Sequence, residues 1–142
     1  MQLHHAVLFV RDAERSVRFY RDGLGLTVLR DLESDNDWPA LLGVDSKHLR
    51  AVIMGDPDDP EVGQVEVLTF ADPVPPGPPP SAPTVTTVML SFHVLLDTVL
   101  PKVLDLGATE FGKVTLANGT RVVTVRDPDG IMVELIDVER HS

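Results

Sequence analysis

The chain has 142 residues, 43% of them hydrophobic, and carries a formal charge of −10 from 22 acidic against 12 basic residues. That length and apolar content suit one domain or two small modules sharing a core. The absence of cysteine excludes disulfides and thiolate zinc sites, and the acidic balance argues against nucleic-acid partners, whose affinity comes largely from clustered Lys and Arg. No basic-apolar-small leader opens the sequence and no apolar run reaches the roughly 18 residues that span a bilayer. A soluble, cytoplasmic protein with no membrane partner is expected.

Residues 3–10 have the β-branched and aromatic content of a strand. Alternation puts His5, Val7 and Phe9 on one face and His4, Ala6 and Leu8 on the other. Asp12 is placed to cap a helix in which Val17, Tyr20 and Leu24 recur at spacings of three and four, with Gly23 and Gly25 as its stop. Residues 26–29 read as a second strand. The turn-rich stretch 33–48 carries Trp38, Leu41 and Leu42, which predicts a loop folded over something apolar, a lid or binding wall. Strands are predicted at 49–54 and 65–70, separated by a turn at 56–60, and Glu66 is the one acid in the second of them. Seven prolines between 72 and 83 make a stiff linker.

Residues 84–95 again read as a strand. Asp97 is expected to cap the following helix, with Leu100, Val103, Leu104 and Leu106 on its buried side, Pro101 in or just past its first turn, and Gly107 closing it. Strands at 109–116 and 121–126 flank Asn118-Gly119, a hairpin signal. Asp127-Pro128-Asp129-Gly130 is a turn, after which only Glu134 is polar in the run 131–136. A carboxylate in such a strand costs on the order of several kcal/mol unless a cation or hydrogen-bond donors meet it.

The order strand, helix, three strands thus occurs twice, in modules at 1–73 and 85–142 joined by a linker at 74–84. Aligning the halves sets Glu66 opposite Glu134, and His5 opposite either Val88 or Met89.

Five segments carry a family resemblance: residues 5–12, Ser16 to Tyr20 leading into Leu24-Gly25-Leu26, Val65-Glu66-Val67-Leu68, Leu106-Gly107-Ala108, and residues 127–135. In this order and spacing the chain resembles the vicinal oxygen chelate superfamily, which includes glyoxalase I, methylmalonyl-CoA epimerase, extradiol dioxygenases and the bleomycin-resistance proteins. The resemblance implies an α+β fold of two paired βαβββ modules forming one domain, with sheets curling around a central cavity, in a homodimer that binds a small-molecule substrate. Metal-binding members hold a cation with His or Gln on the first strand, Glu on the fourth, His on the fifth and Glu on the eighth. Carried over, this gives His5, Glu66 and Glu134, with Val88 or Met89 where the fourth ligand would stand. His93 lies four residues beyond Met89, roughly 13 Å along a strand, too far to substitute.

The function so implied is a lyase or isomerase of glyoxalase or epimerase type using a divalent ion (Mn, Zn, Ni, Mg or Fe), with Glu134 or Glu66 as catalytic base. One alternative is a metal-free binding protein of the bleomycin-resistance kind, favoured by Val88 or Met89 in place of a ligand. Another is an Fe(II) ring-cleaving dioxygenase, disfavoured by the single well-placed histidine. The competing structural reading pairs the two glutamates with Arg50, Arg121 or Arg126, or hydrogen-bonds one of them to His5. His4 is read as surface or packing, Phe19 and Tyr20 as helix packing, and Trp38 as a pocket wall or a loop anchor. Asp127 and Asp129 are turn formers, and His48 and His141 have no assigned task.

Overall fold

The computed structural model describes residues 1–139, so His141 lies outside the described residues. The chain divides into two units, Met1–Gly77 and Pro78–Ser142. Each carries a strand, a helix and three further strands in that order, which makes the architecture α+β.

In the first unit β1 (His5–Phe9), α1 (Ala13–Arg18), β2 (Thr27–Asp35), α2 (Trp38–Leu42), β3 (His48–Gly55) and β4 (Gln64–Phe70) follow one another. The sheet order is β1-β4-β3-β2, with β1 parallel to β4 and the other pairs antiparallel. Asp12 caps α1 as expected, accepting the Arg15 N–H at 3.1 Å. The helix then widens into a π-helical turn at Phe19–Gly23. Its extra residue lets the adjacent Phe19 and Tyr20 both turn inward. They are fully buried, and their rings meet edge to face at 4.8 Å.

Two expectations for this unit change. β2 runs on to Asp35 past a bulge between Val28 and Arg30. Its polar sequence belongs to an edge strand, half of whose side chains face water. The loop at 33–48 also contains a helix, α2, capped by the Asp37 carboxylate at the Ala40 N–H and ended by Gly43 at φ +72°.

The second unit contains β5 (Met89–Val94), α3 (Leu96–Asp105), β6 (Thr109–Thr115), β7 (Arg121–Arg126) and β8 (Met132–Asp137). Its sheet order is β5-β8-β7-β6, again with the first strand parallel to the last. β5 begins at Met89 rather than residue 84, because Thr87 donates its N–H back to the Thr84 carbonyl and turns the chain. Asp97 is not the cap of α3. It is the second residue of the helix, and the Leu96 N–H is met instead by the buried Asp137 carboxylate of β8 at 3.3 Å. Pro101 lies inside the helix, beyond its first turn, and cannot supply the N–H that the Asp97 carbonyl would otherwise accept. Leu96 and Val103, seven apart, form the buried side, whereas Leu104 is exposed. Gly130, at φ +93°, closes the turn from Asp127, whose carboxylate takes the N–H groups of Asp129 and Ile131.

An arginine at the same register in each unit ties sheet to helix. Arg50 bonds Asp31 at 2.8 Å and Glu14 of α1 at 2.6 Å; Arg121 bonds Asp137 at 2.6 Å and Asp97 of α3 at 3.0 Å. Glu14 and Asp97 are each the second residue of their helix. The hydrogen bonds that Arg50 donates, to Asp31 first and then to Glu14, raise its pKa above the ordinary value. Among the described residues no helix is long and apolar enough to cross a membrane.

Candidate functional site

Register decides which side chains share a face. In the first unit Glu66 lies beside Val7 on β1 and Ile53 on β3. With a period of two, His5, Val7, Phe9, Glu66, Leu68, Ala51 and Leu49 all fall on one side of the sheet. On that side His5 Nε2 and Glu66 Oε2 are 2.9 Å apart, the imidazole side chain 33% and the carboxylate side chain 17% exposed. The other imidazole nitrogen, Nδ1, is 2.8 Å from Nδ1 of the exposed His4. One ring donates and the other accepts there, while His4 Nε2 lies 3.7 Å from the Glu61 carboxylate. The sequence reading of His4 as a surface residue misses this contact.

The same face forms one wall of a cavity of about 360 Å³ whose opposite wall is α2. Val7, Phe9, Leu32, Leu49 and Leu68 supply the sheet side, and Trp38, Leu41 and Leu42 the helix side. Trp38 is therefore a pocket residue, and it also packs on the cluster of Leu49, Ala51, Leu68 and Phe70. Glu66 is the one ionisable side chain among the residues lining this cavity. The indole Nε1–H of Trp38 is buried with no acceptor among the described residues. A donor left so costs about 1–3 kcal/mol.

In the second unit Glu134 sits beside Ser91 on β5 and Thr124 on β7. Ser91 therefore occupies the place of Val7, and Met89, two residues earlier, the place of His5. This settles the choice between Val88 and Met89, since Val88 precedes β5 altogether. Ser91 Oγ donates to Glu134 Oε1 at 2.8 Å. Sequence reasoning missed Ser91, although alternation along Met89, Ser91 and His93 would have put it on the Glu134 face. His93 pairs with Ile136 rather than Glu134.

The arginines of the structural reading are engaged elsewhere. Arg50 is three residues from Ile53 and Arg121 three from Thr124, an odd separation that turns both to the helix side of their sheets, away from the glutamates. Arg126 does share the Glu134 face. Its guanidinium is spent on the carbonyls of Gly130 and Ser81 and lies 5.0 Å above the Phe111 ring. The part of that reading found in place is the hydrogen bond between His5 and Glu66.

A catalytic divalent ion is commonly held by three protein donors. The first unit supplies two, His5 and Glu66, already bonded to each other. The second supplies Glu134, next to a thioether where the imidazole stands in the first, and a thioether suits soft ions rather than hard ones. Among the described residues no group of three or more His, Asp or Glu side chains is placed to hold a metal ion.

The model of the glyoxalase/bleomycin resistance protein/dioxygenase superfamily matches residues 2–135. A lactoylglutathione lyase-like protein of Aspergillus terreus is 30% identical over 148 residues, covering 94% of this chain and 74% of the relative. Among solved structures, a glyoxalase family protein from Bacillus cereus superposes with a TM-score of 0.77 at 21% identity, covering 96% of this chain and 92% of the other. The trypanothione-dependent glyoxalase I of Leishmania major does so at 0.67 and 20%, covering 96% and 86%. These structural likenesses bear on the fold alone. With the family match spanning nearly all of its length, the chain belongs to the glyoxalase/bleomycin resistance protein/dioxygenase superfamily.

Proposed function

We propose that the chain is a small-molecule lyase or isomerase of the glyoxalase kind, working by proton transfer at a carbon next to a carbonyl, with His5 and Glu66 as its working pair. The observation that carries this is the 2.9 Å contact of His5 with Glu66, the carboxylate being part of the wall of a cavity that is otherwise almost wholly apolar. Glu66 is the general base. His5, bonded through Nε2, fixes the carboxylate oxygen, and through Nδ1 it reaches the exposed His4, which gives the abstracted proton a route to water. Glu134, oriented by Ser91, is the second carboxylate of the proposal. The lyase-like relative supports the reaction class.

The test is exchange of the α-protons of phenylacetone in D2O, followed by NMR. The wild-type chain should accelerate exchange, Glu66→Gln should lose about a hundredfold of that rate, in the usual range for a positioned base, and His4→Gln should lose less. Chelator-treated protein should retain the activity, since the proton steps assigned here need only this chain's side chains. Exchange unaffected by Glu66→Gln but abolished by Glu134→Gln or by chelation would refute the assignment and return the site to the metal set His5, Glu66 and Glu134.

A second reading, a metal-free binding protein, is favoured by Met89 at the position equivalent to His5. Calorimetric heat of binding without any exchange would decide for it.

A further inference from the structure

The cavity of the first unit constrains its ligand more closely than the reaction class does, and the inference here rests on the site reading above. Among the described residues its lining holds a single ionisable side chain, the carboxylic acid Glu66. The chain as a whole carries −10. Among the described residues no Lys or Arg lines the cavity, so an anionic group entering it would be desolvated against a carboxylate with no lining cation to meet it. A tripeptide thiol conjugate, with its two free carboxylates, is badly matched to such a wall.

What the wall does offer is apolar surface, the Ser34 hydroxyl at its edge and the unpaired N–H of Trp38. Val7, Phe9, Leu41 and Leu42 are all exposed large hydrophobic side chains on the cavity. The Phe9 ring is stacked on Phe70, at 6.1 Å between centroids and 12° between planes. Across from it is Trp38, whose buried N–H has no acceptor. Trp38 opens α2, a five-residue helix with no fully buried residue, and its ring packs on the Leu49, Ala51, Leu68 and Phe70 cluster beside the cavity. Its unpaired N–H asks for an oxygen.

We infer that the ligand is an uncharged, flat, largely apolar molecule with at least one carbonyl oxygen, held between α2 and the sheet. Its oxygen takes the Trp38 N–H and its reacting carbon faces Glu66. Trp38 thereby sets specificity for neutral carbonyl compounds over anionic conjugates.

The test compares 1,4-naphthoquinone with its 2-sulfonate, a matched pair differing in one negative group. The chain has no cysteine to add to the quinone, and Trp38 is its sole tryptophan, so quenching of intrinsic fluorescence reports on α2 alone. Naphthoquinone should quench saturably and bind about a hundredfold more tightly than the sulfonate, the cost of an unpaired anion in an apolar wall. By calorimetry, Trp38→Phe, which keeps a ring and removes the N–H, should weaken naphthoquinone binding about tenfold. Equal or tighter binding of the sulfonate in the wild-type chain overturns the inference, as does unchanged affinity in a folded Trp38→Phe variant.

Failure here and failure of the proton-transfer reading are distinguishable. Neutral ligands bound with no exchange on any ketone would leave this inference standing and remove the reaction. Turnover of an anionic conjugate through Glu66 would do the reverse.

Discussion

Replacing Glu66 with methionine separates a working carboxylate from a structural one. The side chain is 17% exposed, on a face shared with Val7 and Leu68, and among the described residues it bonds His5. Methionine has the same side-chain length and a somewhat larger volume, which the cavity beside Glu66 can take up. Exchanging carboxylate surface for about 40 Å² of apolar surface contributes about 1 kcal/mol at ~25 cal/mol per Å². Relief of the carboxylate's lost hydration adds about 1 kcal/mol, and the lost His5 hydrogen bond takes back about 1 kcal/mol. The partner left behind, His5, is one-third exposed and keeps its contact with His4. Glu66→Met should therefore be about 1 kcal/mol more stable than wild type in urea denaturation at pH 8, while catalysing no exchange. Gain of stability with loss of activity marks a residue kept for chemistry. A loss of 2 kcal/mol or more would show that the pair with His5 is there to hold the sheet, and would refute the reasoning.

Other outcomes follow from the packing and the ion pairs. Phe19→Ala, which empties a fully buried site in the π-helical turn, should cost about 3–5 kcal/mol by denaturation, while Leu41→Ala, at 71% exposure, should stay within about 0.5 kcal/mol. Asp12→Ala removes the cap of α1 and should cost about 1 kcal/mol. Burial works against the Asp137 charge, but bonds from Arg121 and from the N–H groups of Glu139 and Leu96 outweigh it and hold the carboxyl at about 2. A lowered carboxyl stabilises the fold fully above its unfolded value of about 4 and loses that contribution as pH falls through about 2. The stability of the wild-type chain should decline across that window, and Asp137→Asn should be less stable at neutral pH with a shallower acid slope. His48 runs the opposite way. Bonds to Asp35 and then Glu33 raise its pKa, so its small, exposed contribution is complete below about 6.5 and fades as pH rises past the raised value.

Periodicity made the duplicated strand and helix order readable, because each buried strand is bounded by turns whose chemistry is local: Asp12 as a cap, Gly119 and Gly130 at positive φ. The edge strand β2 reads as shorter in the sequence than it is, since its outward residues look like a loop. The cap of α3 was misplaced because it comes from Asp137, forty-one residues away, and no local signal marks it. Of the site, His5 and Glu66 were found together by resemblance and by their apolar surroundings, and they do meet. Whether Arg50 or Arg121 could reach a glutamate was a question of parity, answerable only once register was known. Ser91 and the donor of Trp38 escaped because a hydroxyl in a strand and an indole in a loop have no distinctive pattern. Their meaning comes from what stands opposite them.

The most direct measurement is a crystal structure of the chain with 1,4-naphthoquinone bound. A quinone ring lying between α2 and the sheet of the first unit, with one oxygen on the Trp38 N–H and a ring carbon about 3–4 Å from the Glu66 carboxylate, is the predicted result. A ligand seated away from Glu66, or a carboxylate still screened from it by His5, would contradict the claim that this pair is where the chemistry happens.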